Sequence, residues 1–177
     1  MRKSLVWLII ALALLLAISV GVTVALLVAS SKPVVNTFTV GGVDITLAES
    51  TGTEYKMTPG VALPKDPTVT VLGGSETSWL FVKLEKANDF DTFCTYEIQD
   101  GWTALAEQEG VYYRMVESTS SNQVFPVLKE NVVLVKDTVT EEQLDGIVEN
   151  PTLTVIAYAV QNDGFATAQD AWRVLNQ

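Results

Sequence analysis

Surface chemistry needs a base, a nucleophile or a set of metal ligands, and the residues that most often supply them are scarce in this chain. It contains no histidine, so the commonest general base, the commonest metal ligand and the partner of Ser-His and Cys-His pairs are missing together. His-Glu-x-x-His, Gly-x-Ser-x-Gly, a phosphate loop and Cys-x-x-Cys are likewise absent from the sequence. The expectation is a non-enzyme with no catalytic residue, cofactor or metal. Cys94 is the single cysteine, which excludes an intrachain disulfide. Within Phe93-Cys94-Thr95-Tyr96 it reads as a small buried apolar side chain.

Two constellations could still bind something. Asp89 and Asp91, in Asn88-Asp89-Phe90-Asp91, alternate as calcium ligands do, but the glycine and downstream glutamate of a calcium loop are missing, so a solvated loop is expected. Trp79, Trp102, Tyr112 and Tyr113 would stack sugars if exposed together, and would be core if buried. Their burial separates a sugar-binding module from a packed interior.

The elements that would position these residues are mostly strands. Apolar residues alternate at Val34, Phe38 and Val40 and again at Val43, Ile45 and Leu47, predicting a hairpin across Gly41-Gly42. Residues 54–64 read as irregular, with a Pro59-Gly60 turn. Alternation resumes over 67–72 and over 79–86, where Leu80, Val82 and Leu84 share one face and Lys83 and Glu85 make the other face wet. Further strands are predicted at 93–98, 111–116, 124–128 and 132–135, between turns such as Asp100-Gly101 and Glu109-Gly110. Residues 152–160 are apolar on both faces, which marks a central or covered strand. Two short helices follow from the Thr140-Glu-Glu-Gln143 capping box and from Ala168, Ala171, Trp172 and Leu175, whose spacing makes a core-facing stripe. The fold class is therefore all-β, sandwich-like, with one or two short helices.

Before all this stands Arg2-Lys3, then an uncharged apolar run over residues 5–29, then Ser30-Ser31-Lys32-Pro33. A basic start, an apolar core and small residues at the exit make an export signal, cut after Ser30 or Ser31. The run is also long enough to stay as a membrane anchor. Either way the part after it lies outside the cell. The division is residues 1–31 as signal or retained anchor and 32–177 as one β-sandwich domain, with membrane contact only through residues 5–29 before cleavage. Once Arg2 and Lys3 are removed from the 11 basic residues, nine face 21 acidic ones. A surface with that excess repels nucleic acid and anionic lipid.

The order of several stretches resembles the TasA/camelysin family of exported Gram-positive bacterial proteins, which depend on a dedicated signal peptidase. The stretches are Phe38-Thr-Val-Gly-Gly-Val-Asp-Ile-Thr-Leu47, Met57-Thr-Pro-Gly60, Lys65-Asp-Pro-Thr-Val69, Phe81-Val-Lys83, and Ile156-Ala-Tyr-Ala-Val-Gln161 with Gly164-Phe165 and Ala171-Trp172. The resemblance implies a jelly-roll β-sandwich secreted into the biofilm matrix and polymerised into fibres by donor-strand complementation. The partners it implies are further copies of the chain, signal peptidase during export, and a helper or anchoring matrix protein. Some members are described as casein-cleaving metalloproteases, an activity this chain lacks the histidines to perform.

The donor segment would be residues 32–40, with Val34, Phe38 and Val40 entering a groove while the backbone pairs with a sheet edge. An ordinary first strand paired within its own subunit would use the same side chains. The rival functions are a monomeric adhesion or carbohydrate-binding module and, with less support, a secreted protease.

Overall fold

The structure is a computed structural model, and it describes residues 37–40, 42–52 and 55–176. The export segment and Val34 lie outside them, as do the side chains of Phe38 and Val40. The strands are β1 (Thr37–Val40), β2 (Ile45–Ala48), β3 (Ala62–Pro64), β4 (Thr68–Val71), β5 (Ser78–Ala87), β6 (Cys94–Thr95), β7 (Thr103–Ala104), β8 (Val111–Val116), β9 (Gln123–Pro126), β10 (Val132–Val135) and β11 (Thr152–Gln161). Among the described residues three α-helices accompany them, α1 (Phe90–Phe93), α2 (Glu141–Asp145) and α3 (Ala168–Leu175), with a 3-10 turn at Lys129–Asn131.

The two longest alternating segments become the middle of the fold. β5 and β11 pair antiparallel along their whole length, from Ser78 opposite Gln161 to Ala87 opposite Thr152. Around them a five-stranded sheet runs β1-β11-β5-β8-β7, and two three-stranded sheets run β3-β10-β6 and β2-β4-β9. Among the described strands every pairing is antiparallel except that of β1 with β11.

One core joins all three sheets. Leu80, Val82, Leu84, Ala157 and Ala159 of the large sheet pack with Val69 and Val71 of one small sheet and with Val133 and Val135 of the other. Removing that much apolar surface from water is the main term holding the layers together. The two small sheets are themselves linked, because Val127 N–H donates to the Pro67 carbonyl and Gln99 N–H to that of Val127.

The opposite face of the large sheet is covered, not wet. Trp79, Phe81, Val111 and Val160 are buried there beneath Ala168, Ala171 and Trp172 of α3. The expectation of a wet face held only for Lys83 and Glu85, which pair with each other at 2.7 Å. The helical stripe itself is core as expected, and Thr167 caps the helix by accepting the Asp170 N–H. Trp172 meets the Phe81 ring at 5.2 Å and the Tyr158 ring edge-on at 5.2 Å.

Other expectations need correction. The Gly41-Gly42 segment does not close a hairpin: β1 pairs with β11 in one sheet, and β2 pairs with β4 in another. Alternation fixed which residues face inward, with Val43 and Ile45 buried and Asp44 and Thr46 exposed, but it carries no information about the partner strand. Residues 62–64, read as irregular, form β3 against β10. The strand expected over 93–98 is only the pair Cys94–Thr95, and a helix not expected from the sequence, α1, precedes it. The Thr140–Gln143 capping box is present with both of its hydrogen bonds.

Candidate functional site

The described part of the predicted assembly segment, Thr37–Val40, lies at the edge of the large sheet. β11 is apolar on both faces because α3 covers one and the shared core covers the other, so its side chains are held whether or not its outer edge is paired. β1 occupies that edge in parallel, with Thr37 opposite Ala157, Phe38 opposite Tyr158, Thr39 opposite Ala159 and Val40 opposite Val160. Among the described residues, β1 therefore covers four of the ten residues of β11. Parallel pairs are slightly weaker per residue than antiparallel ones, and a short edge strand has a partner on one side only.

Immediately after β1 the chain is tied down. Glu76 N–H donates to the Gly42 carbonyl at 3.1 Å, and Leu72 N–H to the Asp44 carbonyl at 2.9 Å. Ser75, only 5 % exposed, accepts from Asp44 N–H at 3.1 Å and donates back to the Asp44 carbonyl at 3.3 Å. The anchoring turn is itself pinned, since Gly74 N–H donates to the Thr119 carbonyl at 2.7 Å and Gly73 N–H to Asn122 Oδ1 at 2.9 Å. A Cβ at Gly73 would sit 2.3 Å from the Ser120 carbonyl oxygen, so only glycine permits this crossing of backbones. β1 is thus joined through Gly41-Gly42 to a fixed point at Asp44. No motif in the sequence singles out Ser75, because its role depends on a partner 31 residues away.

No family model, curated protein or solved structure matches this chain.

The Lys65-Asp66-Pro67 stretch has a definite mechanical role. Asp66 Oδ1 accepts the Ser50 N–H at 2.9 Å, the Thr51 N–H at 3.0 Å and the Thr51 hydroxyl at 3.0 Å, while its Oδ2 takes the Ser50 hydroxyl. Lys65 Nζ pairs with Glu49 at 2.9 Å. The Ser50 hydroxyl and then the Thr51 N–H hold the Asp66 carboxyl down from its ordinary 3.8 to about 2. These contacts staple the segment after β2 to the joint between β3 and β4.

The aromatic residues are not brought together. Trp79 and Tyr113 lie on the α3 side of the large sheet, their rings edge-on at 5.8 Å, while Trp102 and Tyr112 belong to the core on the other side. Trp79 and Trp102 are each only 9 % exposed, and Trp102 Nε1 donates to the Pro126 carbonyl at 2.9 Å. They form no exposed platform.

Asp91 is engaged by Lys86 at 2.9 Å, and the Lys136 ammonium donates to its backbone carbonyl. Among the described residues no group of three or more His, Cys, Asp or Glu side chains could hold a metal ion. Cys94 is buried, its Sγ 3.9 Å from Met57 Sδ, and burial pushes its thiol pKa up, which keeps it protonated and unreactive. No helix among the described residues is long and apolar enough to cross a membrane.

Proposed function

We propose that this chain is a secreted structural protein of the cell surface or biofilm matrix, a jelly-roll β-sandwich of TasA/camelysin type that is not an enzyme. Its subunits polymerise into fibres when the N-terminal segment of one copy pairs with the sheet edge of the next. The observation that carries this reading is β1: a four-residue edge strand, parallel in an otherwise antiparallel sheet, joined through Gly41-Gly42 to a point held by Ser75. Such a strand can leave with the tie at Asp44 intact, exposing only the outer edge of β11 at Ala157–Val160. A neighbour's strand entering in the same register would set its Phe38 opposite Tyr158 and run its residues 32–36 along 152–156. Main-chain hydrogen bonds would then supply affinity and alternate side chains the register.

Export through residues 1–31, with cleavage after Ser30 or Ser31, belongs to the same proposal and delivers the subunit to the place where it assembles. The carbohydrate-binding reading loses its basis with the division of the four aromatic residues between two faces. The protease reading has no histidine for a Ser-His or Cys-His pair or for a zinc-binding helix.

The test is electron microscopy of the purified secreted form beside a Phe38→Asp variant. Wild-type protein forms filaments, and the variant stays folded by circular dichroism yet forms none, because a charge would have to enter an apolar groove. A variant that unfolds outright, or one that still polymerises, contradicts the proposal.

A further inference from the structure

The ladder between β6 and β10 is interrupted. Thr95 lies opposite Leu134 and Cys94 opposite Val135, and beyond Thr95 the two chains part, to meet again where Ile98 bridges Leu128. Continuing the register would set Glu97 opposite Val132 as the next hydrogen-bonded pair, since Lys136 N–H donates to the Phe93 carbonyl two residues to the other side. That pair does not form. Val132 N–H turns to the Lys129 carbonyl, and the Glu97 carbonyl takes the Lys129 N–H. Pro64, opposite Val132 on β3, has no N–H to offer. Among the described residues the Glu97 N–H and the Val132 carbonyl are therefore left without a partner. Both residues line a cavity of about 290 Å³, with Ala62, Val132 and Leu134 as its apolar part and Lys129, Glu97 and Glu130 as its charged rim. Leu134 is 41 % exposed there. A matching group stands elsewhere on the chain. Val148, in the loop after α2, is 97 % exposed, and its own N–H and carbonyl make no hydrogen bond among the described residues.

We propose that the Val148 loop of one copy docks in the β6–β10 cavity of a second copy. Val148 covers Ala62, Val132 and Leu134, while a peptide group beside it accepts from the Glu97 N–H and donates to the Val132 carbonyl. A trans peptide presents its C=O and N–H in opposite directions, which suits a donor and an acceptor on facing walls. The space is ample, since about 150 Å³ already holds a benzene-sized guest. A second copy is the occupant because projection and cavity lie on the same chain and neither is filled within it. The contact is heterologous, so each joined copy keeps one free projection or one free cavity. Charge opposes it in part: Glu149, next to Val148, meets Glu97 and Glu130, while the Lys129 ammonium already pairs with Glu97 at 2.6 Å. The contact is accordingly weak, smaller than a standard interface, and tightens as salt screens the like charges. It involves no residue of β1 and does not rest on strand exchange.

Disulfide trapping on a non-reducing denaturing gel reads this contact in any state of assembly, with a tag on one partner so that mixed pairs run apart. Cys94 is buried and protonated, so the introduced thiols dominate. Val148→Cys protein should cross-link to Ala62→Cys protein roughly tenfold faster than to Val174→Cys protein, whose thiol is exposed on α3 and does not line the cavity. Sodium chloride should enlarge that preference. Adding Leu134→Glu to the Ala62→Cys protein should abolish it, and circular dichroism checks that this exposed substitution leaves the fold intact. A folded Phe38→Asp background should leave the preference in place, which separates the contact from strand exchange. Equal rates toward Ala62→Cys and Val174→Cys overturn the proposal, as does a preference that survives Leu134→Glu, falls with salt, or vanishes in folded Phe38→Asp protein.

Discussion

The two seams of β11 use one strand in two ways. Against β5 it makes ten antiparallel pairs, roofed by α3 on one face and by the shared core on the other. Against β1 it makes four parallel pairs, at an edge, next to a glycine pair. The strand order explains how both can coexist. β11 is fixed by β5 and by its two covered faces independently of β1, and the proposed function requires the β1 seam to add little to the stability of the sheet. Local opening can cost far less than global unfolding where few buried contacts are broken, and the proposed function requires β1 to open in that way while β5 does not.

The largest expected effect comes from attacking the strong seam. Trp172→Ala removes the side chain that packs on Phe81 and Tyr158, both on paired strands of that seam. Cavity formation at such a site costs about 3–5 kcal/mol. Thermal or urea unfolding should show the full loss. If the variant keeps wild-type stability, α3 does not secure the β5–β11 seam.

A smaller effect sharpens the comparison from outside both seams. Asp66 binds the 49–51 segment with its carboxyl held down to about 2, so its contribution is complete above the ordinary 3.8 and disappears as pH falls from there toward 2. Wild-type protein should therefore lose more thermal stability between pH 5 and about pH 2.5 than an Asp66→Asn variant. Equal acid sensitivity in the two would show that Asp66 is not a source of it. The β1 seam, which contains no titrating group in Thr37–Val40, should be unaffected by either change.

How much of this was legible in the sequence differs between elements. β8 and β10 were read with their limits unchanged, because short runs rich in β-branched and aromatic residues between clear turns specify a strand locally. The starts of the two capped helices were legible from Thr140 and Thr167 and from the helical spacing of the apolar residues that follow. What period-two patterns cannot reveal is partnership, and so β1 and β2 were joined in a hairpin that the fold divides between two sheets. Coverage was hidden too. Trp79 and Phe81 alternate with Leu80 and Val82, and only the return of α3 over the sheet makes both faces interior. At the candidate site, the position of the segment was legible but its anchor was not. Ser75 and the crossing at Gly73 depend on loops that meet only after folding.

Amide hydrogen exchange of the folded monomer, read residue by residue, tests the central claim most directly. The account predicts that the amides of Thr37–Val40 exchange by a local opening far cheaper than global unfolding, while those shared by β5 and β11 exchange only when the whole sheet opens. Equal protection of the two seams would mean that β1 is an integral strand of the fold, and would contradict the account.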